Sequence, residues 1–239
     1  MSCSEMKSRS RIAIVIVSIA LAASLLSACG KAAPPSPLAA SQVIDRCMQS
    51  MDAANSFHFE IEHDGGGTPI AMGLVMNEAE GDIARPDRLK AKISATMMGL
   101  FIEVEVITVG SVIYITNPLT MEWELLPTEF SAVSFFDPDS GVTAILEGMT
   151  SLVKLKDEKV EGLVCYHIAG KTASQYLNAI ALSSVEGVMI DTEVWVDTED
   201  FLLRRIRLEG QITEEEKPGI VRTISLSHFD QSVEIELPR

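Results

Sequence analysis

Basic residues are scarce in this chain, and the shortage limits the partners that it can bind by charge. Of the 239 residues, 19 are Lys or Arg and 34 are Asp or Glu, which gives a net charge of −15. A surface that holds nucleic acid needs clustered basic side chains to neutralise phosphates, and strong electrostatic binding to anionic lipid headgroups needs them too. The composition therefore predicts no nucleic-acid partner and argues against a membrane contact that depends on charge.

The chain also lacks the usual motifs of catalysis. It has four histidines, and no G-x-S-x-G, H-E-x-x-H or Cys–His motif accompanies them. His58 shares a predicted strand face with Glu60 and Glu62, which could offer metal ligands, although a solvated strand edge explains the three residues more simply. The run Glu214–Gly219, which begins with three acidic residues, is predicted to be the solvated tip of a hairpin rather than a calcium site. We therefore predict no enzyme, no metal site and no cofactor.

Cysteine is equally scarce. Of the four cysteines, Cys3 and Cys29 lie in the N-terminal segment, which leaves Cys47 and Cys165 in the rest of the chain. A Cys47–Cys165 disulfide is one possibility in an oxidising compartment, and two buried free thiols are the alternative that we favour. Neither cysteine has a histidine at ligand spacing, so the sequence gives no indication of a zinc site.

One long uncharged run is present, near the N-terminus. Three basic residues precede the apolar residues 12–26, and Leu26-Ser27-Ala28-Cys29 follows them. This order is typical of a secretory signal, and a 15-residue helix of about 22 Å is too short for a hydrocarbon core of about 30 Å. Because the last four residues resemble a bacterial lipobox, we expect Cys29 to be acylated and to become the mature N-terminus.

These features divide the chain into three parts. Residues 1–28 are the predicted lipoprotein signal peptide, residues 29–40 are a lipidated tether rich in Pro and Ala, and residues 41–239 form one domain. Acyl chains on Cys29 would anchor the domain to the outside of the cytoplasmic membrane. Without residues 1–28 the chain keeps 16 basic and 33 acidic residues, a net charge of −17.

The predicted domain begins with a helix and continues mainly as strands. Ser41–Asn55 has apolar residues at helical spacing, with Ser41 as the expected N-cap, and short segments of alternating apolar and polar residues follow. Two further helices are predicted at Pro138–Met149 and Thr172–Leu182, and Val233–Leu237 is predicted as a closing strand. The fold class is α+β: a large curved antiparallel sheet of about ten strands, with helices packed on its concave face.

The order of these segments resembles the LppX/LprG-type lipoproteins (LppX_LprAFG), within the wider LolA/LolB-like superfamily. The segments that carry the resemblance, in chain order, are the lipobox, SFHFEIE, RPDRLKAKI, GSVIYITNP before Trp123, VEGLVCYHIAG at Val160–Gly170, EVWVDTEDFLLRRIRLEG at Glu193–Gly210, and TISLSHFDQSVEIELP. Together they cover most of the chain after the signal.

This resemblance implies an unclosed β-barrel around an apolar cavity that holds acyl chains. It also implies a lipoprotein that carries or presents acylated lipids or glycolipids in the cell envelope, with the membrane and the lipid as its partners. An envelope sensor or interaction module on the same scaffold is the alternative.

The cavity should be lined by residues that alternate inward on the strands, with a few from the helices. The candidates are Ile93, Met97, Ile102, Val104, Val106, Ile190, Val194 and Leu202 from strands, and Ile145, Leu146, Leu177 and Ile180 from helices. Phe135 and Phe136 are candidates for an entrance loop, because paired exposed aromatics favour contact with a membrane or a partner. For each cavity candidate, ordinary core packing is the alternative to lipid contact.

Overall fold

One antiparallel sheet accounts for most of the chain that the computed structural model describes, which is residues 38–70, 73–126, 141–177 and 184–238. The strands in these ranges are β1 Ser56–Asp64, β2 Thr68–Pro69, β3 Val75–Ala84, β4 Arg88–Met97, β5 Leu100–Val109, β6 Val112–Thr116, β7 Trp123–Leu125, β8 Met149–Lys154, β9 Glu158–Val160, β10 Leu163–Ala173, β11 Met189–Asp197, β12 Leu203–Glu209 and β13 Val221–Ser227. The helices are α1 Ala40–Ala53, α2 Val142–Glu147 and a 3₁₀ turn at Ser174–Leu177.

The sheet is open rather than closed. Its strands follow the order β7-β6-β5-β4-β3-β1-β13-β12-β11-β10-β8, with β2 beside β3 and β9 beside β10. In the described ranges β7 and β8 are the two edges, and they do not pair with each other. The predicted fold class is confirmed. The strands outnumber the predicted ten because β2, β7 and β9 have only two or three residues, too few to show a period in sequence.

The antiparallel register gives the sheet one apolar and one polar face. A row of directly opposed apolar residues crosses eight strands: Ile168, Val194, Ile206, Ile224, Ile61, Ala79, Ile93 and Val104. We call the face with this row the apolar face; at roughly 4.8 Å per strand the row is about 33 Å long. On the polar face, Glu60, Glu80, Lys92 and Glu105 are opposed in the same way.

The helix α1 covers part of the apolar face. It buries Val43, Ile44, Cys47 and Met51, which form one side of the helix. The guanidinium of Arg46 lies 5.1 Å from the centre of the Phe201 ring. That ring contacts Tyr166 at 6.0 Å between ring centres, and Tyr166 is two residues from Ile168 and so lies on the apolar face. None of the described helices is long and apolar enough to cross a bilayer.

The ends of several helices differ from the sequence prediction. The N-cap of α1 is Ala39 and not Ser41; the Ala39 N–H donates to Gln42 Oε1 at 3.0 Å. The second predicted helix is shorter, at Val142–Glu147, because Met149 begins β8. In the third, Thr172 and Ala173 end β10, and one 3₁₀ turn follows. Residues 138–140 and 178–183 lie outside the described residues.

The predicted closing strand is not formed. Residues 231–238 have no strand pairing, and the carbonyl of Gln231 accepts a hydrogen bond from the Ser56 hydroxyl at 2.6 Å rather than from the backbone of a neighbouring strand. The segment is held in other ways: Ile235 is buried, and its carbonyl accepts a hydrogen bond of 2.6 Å from Arg88.

The assignment of the β12 residues to the two faces of the sheet also differs from the prediction. The sequence places Leu202 with Ile206 and Leu208 on one face and Leu203 on the other. Instead, Leu203, Ile206 and Leu208 are the fully buried residues, and Leu202 precedes the strand and is half-buried. The cause is a register shift between Trp195 and Val196 where β11 pairs with β12, which breaks the strict alternation.

Candidate functional site

The predicted cavity residues fall into two groups by exposure. The buried group is Val104, Val106, Ile145, Leu146, Leu177, Ile190 and Val194, and the half-buried group is Ile93, Met97, Ile102 and Leu202. Ile180, Phe135, Phe136 and Cys29 lie outside the described residues. Since the buried group has no free surface, the accessible part of the candidate site lies with the half-buried group.

Three of the half-buried residues lie together, on β4 and β5. Ile93 pairs with Val104, and two residues further along β4, Ala95 pairs with Ile102. Met97 is the next residue of β4 on the same face and pairs with Leu100. The structure therefore places Ile93, Met97 and Ile102 in one apolar strip. Ile190 and Val194 lie on β11, at the other side of the sheet.

Exposure along this strip rises towards the turn between β4 and β5. On β5, Val104 is 1% exposed, Ile102 is half-buried and Leu100 is 68% exposed, and all three are on the apolar face. Exposed apolar side chains next to a buried apolar row give a ligand a continuous surface to follow. This end of the apolar face can therefore accept an apolar ligand without displacing the core.

A polar cluster, most of it buried, lies on the same face and was missed by sequence reasoning. The register sets Arg222 of β13 opposite His63 of β1, and Arg222 is fully buried. Its Nε donates to Thr68 Oγ1 at 2.9 Å, its Nη1 donates to the carbonyl of Gly210 at 3.0 Å, and its Nη2 forms an ion pair with Glu216. We call Arg222, Glu216, Thr68 and His63 the polar cluster.

The prediction of a solvated hairpin tip is wrong for Glu216. Glu214 and Glu215 are exposed as expected, but the Glu216 side chain is buried. Its Oε2 accepts hydrogen bonds from the backbone N–H groups of Ile212, at 2.6 Å, and Thr213, at 3.1 Å. The Arg222 charge compensates its burial. No periodic pattern in the acidic run distinguishes Glu216 from its neighbours, so the sequence carried no signal for it.

His63 is held neutral in this cluster. Burial lowers the pKa of the imidazole to about 4. Its Nδ1 is 2.8 Å from the Asn77 carbonyl oxygen, which can only accept, so Nδ1 carries the proton. The other nitrogen, Nε2, therefore accepts from the Thr68 hydroxyl at 2.8 Å. A chain of hydrogen bonds thus runs from Arg222 through Thr68 to His63.

The remaining candidates from the sequence have structural partners. His58 lies 2.8 Å from Asp82 on the neighbouring strand and 3.8 Å from Glu60. Cys47 and Cys165 are free thiols, and both are buried. Burial raises the pKa of Cys165 to about 11 and raises the pKa of Cys47 above its usual range, so neither forms a thiolate at neutral pH.

Comparison with known proteins agrees with this architecture. The crystal structure of LprF from Mycobacterium bovis is similar with a TM-score of 0.66 and 16% identity, over 83% of this chain and 96% of that one. Lipoprotein LppX from Mycobacterium tuberculosis is similar with a TM-score of 0.59 and 16% identity, over 82% of this chain and 97% of that one. No curated protein sequence matches the chain significantly. The family model described as LppX_LprAFG lipoprotein matches residues 39–235, and the chain belongs to that family.

Proposed function

We propose that this protein is a membrane-anchored lipoprotein that binds an acylated lipid or glycolipid on its apolar face and carries or presents it outside the cytoplasmic membrane. The observation that carries the proposal is the apolar strip of Ile93, Met97 and Ile102, which continues the buried row and becomes accessible towards the β4–β5 turn. Membership of a lipoprotein family supports the anchor at Cys29 and a lipid ligand.

The energetics favour such a carrier. At about 0.8 kcal/mol per CH₂, exposing a sixteen-carbon chain to water costs on the order of 10 kcal/mol. Transfer from a bilayer to an apolar protein surface avoids most of this cost, so loading and unloading can be nearly balanced. The acidic outer surface, with a total net charge of −15, would keep a protein with an accessible apolar face in solution.

Mass spectrometry can separate the bound lipid from the covalent anchor. The mass of the full-length protein, solubilised in mild detergent, is measured under native and under denaturing conditions. Acyl groups on Cys29 survive denaturation, whereas a bound lipid is lost, so we expect the native mass to exceed the denatured mass by one or more lipids. Equal masses after incubation with excess phospholipid would refute the proposal.

Matched variants locate the ligand on the apolar face. Ile93→Gln and Ile102→Gln place an amide in the half-buried strip, and we expect each to reduce lipid occupancy about tenfold, because a buried amide without a partner costs about 1–3 kcal/mol. Val112→Gln is the control, since Val112 is also half-buried and lies on the polar face opposite Val109. Equal losses of lipid in all three variants would place the ligand elsewhere.

A further inference from the structure

The turn between β4 and β5 exposes an unusual amount of apolar surface. Met98 is 95% exposed, Phe101 is 88% exposed and Leu100 is 68% exposed. No residue from position 95 to position 102 is charged. We call Met98–Phe101 the β4–β5 tip. Isolated exposed apolar residues are normal on protein surfaces, but three within four consecutive positions on a projecting hairpin indicate a contact surface.

The backbone of this tip is a regular tight turn and not a distorted one. Met98 and Gly99 have φ angles of 50° and 81°, and these are the two positions between the end of β4 and the start of β5. Positive φ at both central residues is typical of the turns that match the twist of a hairpin. The tip is therefore a well-formed projection whose apolar side chains stay exposed.

A second exposed apolar segment lies at the same end of the sheet. In the loop between β6 and β7, Leu119 is 83% exposed and Met121 is 63% exposed. The end of β6 is fixed beside β5, because the backbone N–H of Glu105 donates to Thr116 Oγ1 at 2.8 Å. Since β6 runs antiparallel to β5, the chain after Thr116 continues towards the β4–β5 tip. Two separate loops thus present apolar side chains in the same direction.

Helix α1 runs from this end of the sheet towards the opposite end. The last turn of α1 lies at the opposite end of the sheet, where Arg85 in the β3–β4 turn donates to the carbonyls of Ala54, at 2.8 Å, and Met51, at 3.2 Å. The same helix contacts α2, which leads directly into the first residue of β8 at the tip end. From Cys29 to Leu38, nine residues span at most about 32 Å, so an anchored Cys29 keeps α1 within that distance of the bilayer.

We propose that the β4–β5 tip and the β6–β7 loop insert into the lipid bilayer to which the protein is anchored, and that the lipid ligand passes between bilayer and apolar face along this tip. The inference rests on the proposed lipid-carrying function. The apolar strip from Val104 through Ile102 to Leu100 forms the path, because its exposure increases towards the tip. The contact is apolar, since the chain has a strong net negative charge and the tip has none.

Depth-dependent fluorescence quenching tests the insertion. The full-length chain carrying Phe101→Trp is reconstituted in phosphatidylcholine vesicles with brominated acyl chains. Leu163→Trp is the matched control, because Leu163 is 41% exposed and follows the β9–β10 turn at the opposite end of the sheet. Both variants carry Trp123→Phe to remove the native tryptophan near the tip. We expect the indole at position 101 to be quenched several-fold more strongly than the indole at position 163.

Two results would overturn this inference. Equal quenching at positions 101 and 163 would show that the tip stays outside the bilayer. Weak quenching at position 101 together with a dimeric mass would show that a second copy of the chain covers the tip. Both positions are exposed, so the variants should keep the wild-type melting temperature, which circular dichroism checks.

A transfer assay separates this inference from the proposed function. Met98→Ser with Phe101→Ser should slow lipid transfer between vesicles about tenfold or more, because two large apolar side chains no longer enter the bilayer. The occupancy measured by native mass spectrometry should remain at the wild-type value. Quenching at position 101 without any bound lipid would support insertion and refute the carrier. Bound lipid with unchanged transfer in the double variant would refute the role of the tip.

Discussion

At the residue scale, the titration of His63 makes the stability of the fold depend on pH. Its pKa of about 4 in the folded protein is below the value of about 6.5 for a free imidazole. Below about pH 6.5, the unfolded chain therefore binds a proton here that the folded protein excludes. The contribution to the free energy of unfolding is complete above pH 6.5 and is lost as the pH falls towards 4, by up to about 3 kcal/mol.

Urea unfolding at several pH values measures this contribution. His63→Gln cannot titrate, so the decrease in unfolding free energy between pH 6.5 and pH 4 should be smaller in the variant than in the wild type. The carboxylates contribute to the pH dependence of both proteins and cancel in the difference. Parallel curves for the two proteins would contradict a half-buried His63 that stays neutral in the folded protein.

At the element scale, the ion pair of Arg222 and Glu216 holds the loop between β12 and β13 against the apolar face. Removing one charge leaves the other buried without compensation, which typically costs about 3–5 kcal/mol. We expect Glu216→Gln to lower the unfolding free energy by about that amount. Glu215→Gln is the matched control: its carboxylate is exposed one residue earlier, so its effect should stay within about 0.5 kcal/mol. Equal effects of the two substitutions in urea unfolding would refute the buried ion pair.

The elements with the clearest alternation of apolar and polar residues were predicted best from the sequence. Long strands with alternating residues, such as β4 and β5, were predicted because one face of each is buried and the other is solvated. The Val233–Leu237 segment alternates equally well and forms no strand, because pairing depends on where the chain lies relative to other strands, which a local pattern does not report. The register shift at Trp195 and Val196 likewise depends on how β11 pairs with β12, which the pattern of either strand alone does not show.

The candidate site was predictable only in part, for the same physical reason. Alternation identified the residues of the apolar face, including Ile93 and Val104, but not which of them stay accessible, since exposure depends on what packs over each one. The polar cluster was missed because Arg222 and Glu216 resemble ordinary surface charges in sequence. These two residues are buried because the loop between β12 and β13 folds over the apolar face. A local sequence pattern does not report such a contact.

At the scale of the whole molecule, the net negative charge, −15 for the full chain and −17 without residues 1–28, determines how the protein responds to salt near a membrane. An apolar contact made by an acidic protein is opposed by repulsion from anionic lipids. We expect lipid transfer from vesicles rich in anionic lipid to become faster as NaCl rises from about 0.1 M to about 1 M, where the Debye length falls from about 10 Å to about 3 Å. Transfer from phosphatidylcholine vesicles should change little. Slower transfer at high salt from the anionic vesicles would indicate a basic contact surface instead.

The position of β1 in the sheet has a consequence for biogenesis. Among the described residues it is the first strand, and it lies in the middle of the sheet, where Ile61 pairs with Ile224 near the other end of the sequence. Contacts between such distant segments form late and slow folding. If the chain crosses the membrane N-terminus first, β1 can pair with β3, but its other edge stays unpaired until β13 has emerged. The two halves of the sheet can therefore join only when translocation is nearly complete, and the unpaired edge of β1 is the segment that most needs protection in the meantime.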